Sequence, residues 1–185
     1  MASDPKSART DTTALVETMP VALLDEPLDY VFADHFRLRR ICAALRRFAE
    51  EGRVGRHEAD EVVAFLTHDL PLHHHDEDDD LFPAVCRRAL PEDNLRDLLT
   101  RLSADHRRSQ ARVERIIRAF VARGSRGVLQ LASDSRRTMT DYAGDEGRHL
   151  AAENGIVLPI ARARLTVDDL RLISRRMKAR RGIAS

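Results

Sequence analysis

The sequence predicts an all-α protein: an antiparallel up-down four-helix bundle with a short additional C-terminal helix. Apolar residues recur at alternating spacings of three and four residues in four long stretches, which is the period of an amphipathic helix. No stretch shows the strict alternation that is typical of a half-buried strand. Only 4% of the residues are aromatic, and Ala, Leu and Arg are abundant, as in soluble helical proteins. Long helices joined by short loops favour antiparallel neighbours.

The first two long helices are predicted over residues 27–51 and 56–90. Gly52 ends the first, because glycine readily adopts the left-handed conformation that follows many helices. Pro71 interrupts the second, because proline lacks a backbone N–H and clashes with the preceding turn. It predicts either a kink that aims His73 inward or a short loop between two helices. The apolar stripes contain Leu28, Val31, Leu38, Cys42 and Leu45 in the first helix, and Val62, Leu66, Leu70, Leu81 and Ala84 in the second.

The third helix is predicted from Pro91, at the first helical position, to Arg123. The fourth is predicted over residues 127–165, and a fifth, short helix follows to about residue 180. Thr166 and Asp169 form a capping-box pattern at its start. The apolar stripes contain Leu95, Leu98, Leu102, Val113, Ile116 and Phe120 in the third helix, and Leu131, Met139, Tyr142, Ile156 and Ile160 in the fourth.

These elements divide the chain into three parts: a flexible tail over residues 1–22, the bundle over 23–165, and a short basic helix over 166–185. The first 20 residues are polar and predict no secretory signal. No stretch approaches the roughly 20 apolar residues of a membrane span. The net charge of +1 predicts no general attraction to nucleic acid or membrane. Reduced thiols at Cys42 and Cys86 in a cytoplasmic protein are favoured over a disulfide. The oligomeric state stays open between monomer and dimer.

One polar motif occurs twice, as His73-x-x-x-Glu77 and His149-x-x-x-Glu153. In both copies an apolar residue and a proline follow, the proline ten residues after the histidine. Residues i and i+4 share one face of a helix, so each copy offers an imidazole and a carboxylate to the same point. Two such pairs that face each other are what a dinuclear metal site in a helical bundle requires.

Polar residues interrupt the apolar stripes of all four long helices. His35 and His106 take core positions in the first and third helices, and the two His–Glu pairs take those of the second and fourth. A buried carboxylate is costly unless it is paired or bound to metal, and the stripes offer no Lys or Arg at matching positions. Four imidazoles and two carboxylates suit two first-row transition ions, with Fe favoured and Mn or Zn as competitors. The candidate ligands are His35, His73, Glu77, His106, His149 and Glu153.

This layout resembles the hemerythrin-like HHE cation-binding family. The order is His, then His-x-x-x-Glu followed by Leu-Phe-Pro, then His, then His-x-x-x-Glu followed by two apolar residues and Pro. The resemblance covers roughly residues 28–165. It implies a non-haem di-iron centre, two Fe ions with an oxo or hydroxo bridge, held by these six candidate ligands.

Two positions depart from the oxygen-carrying hemerythrins. Gln110 stands where they place a second histidine after the helix-three ligand, and Asn154 stands where they place an aspartate. The chain therefore looks more like the branch with four His and two Glu. That branch includes proteins that repair iron–sulfur clusters and others tied to peroxide, NO or iron sensing. The repair proteins usually carry an N-terminal cysteine-rich segment, whereas here no cysteine precedes Cys42.

We therefore expect a protein that binds or reacts with O2, NO or peroxide in stress response or sensing. The alternative is a module that binds, senses or donates iron without turnover. Steady-state consumption of peroxide or NO distinguishes the two.

For the other polar residues near the motif, the sequence predicts different positions and roles. His74 and His75 are expected to face solvent or to support the ligands, and the aspartates at 76 and 78–80 to form a solvated face. The basic last helix is also expected to be a solvated face. Glu146, one turn before His149, is either a carboxylate that orients a ligand, an extra ligand or half of a surface salt bridge. Tyr142 and Cys42 are expected in the core.

Overall fold

The computed structural model describes residues 14–121 and 127–183. It confirms the all-α fold class, with four long helices in a bundle and an additional C-terminal helix. The helices are α1 (Pro27–Glu51), α2 (residues 56–88), α3 (Arg96–Val121), α4 (residues 133–164) and α5 (Val167–Arg180).

Two apolar clusters fill the bundle, and polar residues lie between them on every long helix. Along α1 and α3 the chain passes from the cluster that contains Leu24 and Phe82 to the cluster that contains Phe48 and Phe120. Along α2 and α4 it passes in the opposite order. Neighbouring helices in sequence therefore run antiparallel, and the polar residues of all four form one layer in the middle of the bundle.

Helices α2 and α4 contain turns of π-helix. Helix α2 consists of the α-helical segments Arg56–Ala64, Leu70–His75 and Phe82–Arg88, separated by the π turns Phe65–Asp69 and Asp76–Leu81. Helix α4 consists of Ser133–Ala152 and Leu158–Arg164 around the π turn Glu153–Val157.

Each π turn is followed by a proline at the second position of the next α-helical segment. These prolines are Pro71, Pro83 and Pro159. A proline has no N–H for the carbonyl four residues earlier, and its ring collides with that carbonyl in an α-helix. In all three cases that carbonyl lies within the π turn, whose wider ring relieves the conflict. Helix α2 therefore continues through Pro71, and the chain forms no loop there.

The prediction of α1 is confirmed at both ends. Pro27 stands at its start, and Gly52 follows its end with φ of 70°. The capping box of α5 is confirmed as well, because Thr166 Oγ1 accepts from the backbone N–H of Asp169, and the Asp169 carboxylate accepts from the N–H of Thr166.

The prediction that α4 begins near residue 127 is wrong. Val128–Gln130 forms a strand that pairs antiparallel with Arg53–Gly55, with Val54 opposite Leu129, and α4 begins only at Ser133. A pair of three-residue strands is too short to show a periodic pattern in the sequence.

The third helix also begins later than predicted. Pro91–Asp93 forms a separate 3-10 turn, which Asn94 ends in the left-handed conformation with φ of 50°, and α3 begins at Arg96. The predicted end of this helix, Arg123, lies outside the described residues.

The segment before α1 contacts the bundle where the structure describes it. The N–H of Leu15 donates to the carboxylate of Glu61 at 3.2 Å, and Arg37 donates to the carbonyl of Glu17 at 2.9 Å. Val21–Asp25 forms a 3-10 turn that buries Leu24. Residues 1–13 of the predicted tail lie outside the described residues, and the boundary at residue 22 stays a prediction.

Both cysteines are free, as predicted. Among the residues that the structure describes, none of the helices combines the length and the apolar character that a membrane span requires.

Candidate metal centre

The polar layer brings the six candidate ligands together in two overlapping groups. One group contains His35, His73, Glu77 and Glu153, and the other contains Glu77, His106, His149 and Glu153. Within each group the ligand atoms all lie within 4.8 Å of one another, and every residue is buried. The two glutamates belong to both groups, so each lies between two pairs of histidines.

The first group joins α1 to the π turns of α2 and α4. His35 Nε2 lies 3.2 Å from Glu77 Oε1 and 3.5 Å from Glu153 Oε2. His73 Nε2 lies 3.3 Å from Glu77 Oε2. Because both histidines direct Nε2 toward a carboxylate, their donor atoms converge on one point.

The second group joins α3 to the same two glutamates. His149 Nε2 lies 2.9 Å from Glu153 Oε1, and His106 Nε2 lies 3.5 Å from Glu77 Oε2. The two Nε2 atoms of His106 and His149 are themselves only 2.9 Å apart.

The far nitrogen of His35 is held by an amide of α4. Its Nδ1 lies 3.0 Å from Oδ1 of Asn154, whose Nδ2 donates to the carbonyl of Leu150 at 2.8 Å. Since that bond fixes the amide, Oδ1 accepts the Nδ1 proton of His35. This contact directs the other ring nitrogen of His35, Nε2, toward the two glutamates.

Carboxylates support two further histidines in the same way. His73 Nδ1 lies 3.4 Å from Asp34 Oδ2, and His106 Nδ1 lies 3.0 Å from Asp78 Oδ2. Asp34 in turn accepts from Arg37 at 2.7 Å, and Asp78 accepts from the hydroxyl of Ser103 at 2.6 Å. Carboxylates behind imidazoles, fixing ring orientation and tautomer, are typical of metal-bound histidines.

The two glutamates are almost completely buried without compensating cations from Lys or Arg. Glu77 and Glu153 are 0% and 1% exposed, and within the described residues their ion-pair partners are the four histidines alone. Burial raises the pKa of Glu77, but His73, His35 and His106 outweigh it and hold the pKa well below the usual range. In return, against the cost of burial, Glu77 and Asp34 raise the pKa of His73 to about 10. Glu153 raises the pKa of His149 to about 9 in the same way.

These groups fit metal ions. Glu77 Oε2 and both carboxylate oxygens of Glu153 are buried, and no described residue offers them a hydrogen bond. An unsatisfied buried carboxylate is very costly. The two Nε2 atoms of His106 and His149 are spaced like neighbouring ligands of one ion, since bonds of about 2.0–2.1 Å at a right angle place nitrogens roughly 3 Å apart. The negative field of the glutamates, which favours a proton on His73 and His149, also favours a metal cation beside them.

A cleft between α3 and α4 reaches one of the two groups. It has a volume of about 640 Å³ and opens to solvent, and its lining includes His106 and His149 but neither His35 nor His73. Five arginines surround it: Arg101, Arg108, Arg112, Arg115 and Arg148. The second group is therefore the accessible side of the centre, and the first group is the enclosed side.

Glu146 and Tyr142 line this cleft beside His149. Glu146 is 6% exposed and forms no ion pair within the described residues, so the surface salt bridge considered from the sequence is not formed. Burial raises the pKa of Glu146, and His149 opposes the shift. Tyr142 is a core residue, as expected, and its hydroxyl has no hydrogen-bond partner in the part of the chain that the structure describes.

The expectation of a solvated acidic face is wrong for Asp76 and Asp80, which are buried. The expectation of a solvated basic helix is wrong for Arg180 at the end of α5 and for Arg181 just after it, because both bind these aspartates. The helical stripe already pointed to this placement, because positions 76 and 80 lie three residues after the core positions His73 and Glu77.

The two neighbouring histidines behave differently from each other. His74 stacks on His106, with ring centroids 4.0 Å apart, and its buried Nε2 has no hydrogen-bond partner among the described residues. Burial, with His106 and His73 nearby, lowers the pKa of His74 well below its usual value. His75 is exposed and bonds to Asp79 at 2.8 Å.

Neither Asp34 nor the support of a histidine by Asn154 was predicted from the sequence. Asp34 had a detectable signal, since it lies three residues after Val31 and four before Leu38 in the core stripe of α1. Asn154 lies beside Glu153 at the start of a π turn, and the α-helical period alone does not place its side chain toward α1.

The comparisons with known proteins agree with this geometry. The family model described as hemerythrin HHE cation binding domain matches residues 26–161. The comparison with curated proteins and the comparison with solved structures found no match.

Proposed function

The chain belongs to the hemerythrin HHE cation-binding domain family, and from this premise we propose a non-haem di-iron protein that binds or reacts with O2, NO or peroxide in stress response or sensing. That it is a hemerythrin-like metal-binding protein follows from the family and from the buried His–Glu groups. The iron pair, the small ligand and the physiological role are the proposal.

One observation carries the proposal: two groups of buried donors share both of their carboxylates. His35 and His73 would hold one ion and His106 and His149 the other, with Glu77 and Glu153 common to both. Four protein donors for each ion are fewer than the six that iron commonly accepts, so positions remain for a small ligand. Imidazole and carboxylate donors without a thiolate suit iron, with manganese and zinc as competitors.

The protein's own residues would prepare the site for a small ligand. Asn154, Asp34 and Asp78 hold the far nitrogens of three histidines and keep their near nitrogens directed inward. The apolar clusters on both sides exclude water from the enclosed group, whereas the cleft admits a ligand beside His106 and His149. Bound iron would supply the redox chemistry.

Reaction with NO and peroxide tests this function. The protein is loaded anaerobically with Fe(II) and exposed to NO or hydrogen peroxide, and the optical spectrum and the loss of the added ligand are followed. We expect a saturable spectral change with the ligand, and steady-state consumption if the protein is a catalyst. Spectral change without consumption supports the sensing alternative, and no response to O2, NO or peroxide contradicts the proposal.

Matched variants show whether the response comes from this centre. Because His149 belongs to the accessible group, H149A should abolish the spectral response. His57 is exposed on α2 outside both groups, so H57A should leave it unchanged.

A further inference from the structure

Three arginines at the C-terminal end of α5, the last of them one residue past the helix, bind two buried aspartates of α2. We call Arg176, Arg180 and Arg181 the arginine clasp. Arg176 donates to Asp80 Oδ1 at 2.9 Å, and Arg180 donates to Asp80 Oδ2 at 2.8 Å. Asp76 accepts from Arg180 through Oδ1 and from Arg181 through Oδ2, the latter at 2.6 Å. Each carboxylate is therefore held by two guanidinium groups.

Because Asp76 and Asp80 are buried, their contacts with the arginines restrict where the two carboxylates can lie. The side chains of Asp76 and Asp80 are each 1% exposed. A buried carboxylate is costly without charged partners, and the guanidinium fork fixes the direction of its bonds. By contrast, the ion pair of Arg171 and Asp168 on the same helix is largely exposed and constrains little. The clasp therefore fixes the backbone that carries Asp76 and Asp80.

That backbone is the π turn Asp76–Leu81, which also carries Glu77. The two aspartates face α5, whereas the neighbouring Glu77 faces the histidines of the metal centre. A π turn is rare and appears mostly as a single turn within an α-helix. Contacts from outside the helix therefore matter for where this turn places Glu77.

The clasp also reaches α1. Arg181 Nε donates to the hydroxyl of Tyr30 at 3.3 Å, and its guanidinium lies 4.9 Å from the centroid of that ring. Helix α1 carries His35, whose Nε2 lies 3.2 Å from Glu77 Oε1. Arg181 thus connects the two helices whose side chains meet in the enclosed group.

We infer that the arginine clasp positions the carboxylate of Glu77 between the two metal sites. The inference rests on the proposed function, in which Glu77 is a ligand of both ions. Asp76, Arg180 and Arg181 are positioning residues, because they act on the ligand through the backbone of the π turn. Helix α5 is accordingly part of the metal centre's support.

The test compares three double variants in the intact chain. R180Q/R181Q leaves Asp76 without a guanidinium partner, and R180K/R181K restores a cation at both positions. R171Q/R175Q is the matched control, since both of these arginines are exposed on the same helix and form no bond to α2 within the described residues. If R180Q/R181Q does not fold, R180Q alone gives a milder comparison, in which Arg181 still holds Asp76 and the same changes are expected to be smaller.

Each variant is loaded with Fe(II), and the Mössbauer spectrum and the rate of iron loss to a chelator are measured. We expect R180Q/R181Q to change the quadrupole splitting and to lose iron at least several-fold faster, with partial recovery in R180K/R181K and no change in R171Q/R175Q. An unchanged spectrum and an unchanged rate of iron loss overturn the inference, even if the variant unfolds at a lower temperature, because the clasp would then only stabilise the fold.

Hydrogen exchange of the metal-free protein separates this inference from the proposed function. We expect R180Q/R181Q to exchange faster in residues 76–81 than elsewhere in the bundle. If the unaltered protein binds no iron but shows this local change, the proposed function fails and the effect of the clasp on the π turn stands. A uniform change along the chain overturns the inference.

Discussion

His35 Nδ1 lies 3.0 Å from Asn154 Oδ1, so the residue that follows Glu153 on α4 orients a histidine of α1. In the sequence Asn154 is notable chiefly as a departure from the aspartate of oxygen-carrying hemerythrins. In the structure it is a support for His35, while Glu153 beside it faces both pairs of histidines.

Replacing this amide should weaken metal binding. N154A removes the acceptor of the His35 proton, and loss of such a support typically lowers metal affinity roughly 10–100-fold. The measurement is competition for Fe(II) with a chelator of known affinity. Q110A is the control, because Gln110 is the other departure position and is exposed on α3. Equal affinities of N154A and the unaltered protein would contradict this role.

Removing either shared carboxylate should cost at least one metal ion. E77A and E153A each take one donor from both groups, and the remaining carboxylate has to offset the charge of two ions. Elemental analysis of the reconstituted variants gives the number of ions per chain. H57A should bind as much metal as the unaltered protein. Full occupancy in either glutamate variant would show that the carboxylates are not shared.

Metal removal should lower the stability of the folded chain. At a free metal concentration about a thousand times Kd, binding stabilises the native state by about 4 kcal/mol. For a chain of this size that corresponds to a fall in Tm of about 8–16 °C after chelation. Calorimetry with and without a chelator measures the shift. An unchanged Tm would mean that the metal is bound elsewhere or too weakly to matter.

Narrowing the cleft should slow ligand entry without loss of metal. Ala111 lines the cleft and is exposed, so the larger side chain of A111F obstructs the opening without disturbing the core. We expect association of NO to slow about tenfold, which corresponds to about 1.4 kcal/mol of activation free energy. Stopped-flow spectroscopy measures the rate. A179F, on the exposed side of α5, should react at the normal rate, and an unaffected A111F would place the entry path elsewhere.

The capping box of α5 should lose its stabilising effect in acid. Hydrogen bonds from the backbone of Thr166 and from Arg88 lower the pKa of Asp169 to about 2. A carboxyl group with a pKa lower in the folded than in the unfolded state stabilises the fold above the unfolded value, about 3.9. This contribution is lost as the pH falls from about 4 toward 2. An NMR titration of the Asp169 carboxyl should show this low pKa, and D169N should lack that part of the acid sensitivity. Titration near 4 would contradict the cap.

The helical core and the clustering of the six polar residues could be predicted because both depend on a local period. His35 and Glu77 interrupt apolar stripes at in-phase positions, and the structure places them 3.2 Å apart. Whether the six residues bind metal stays a prediction that chemical analysis has to test.

What the sequence did not reveal depends on contacts between distant segments or on departures from the α-helical period. Each proline induces a π turn that shifts the register, so the placement of Asn154 could not be derived from α-helical spacing. The pairing of Asp76 with Arg181 joins positions 105 residues apart in the chain, and neither residue type predicts burial by itself. Asp76 and Arg181 were therefore expected on solvated faces, whereas they bind each other in the structure.

Metal analysis of the aerobically purified protein, together with its optical spectrum, shows whether the six buried residues hold a pair of iron ions. We predict about two irons per chain, matching the two donor groups, and near-UV charge-transfer bands of a bridged iron pair. A single zinc ion per chain with no such bands would contradict this prediction.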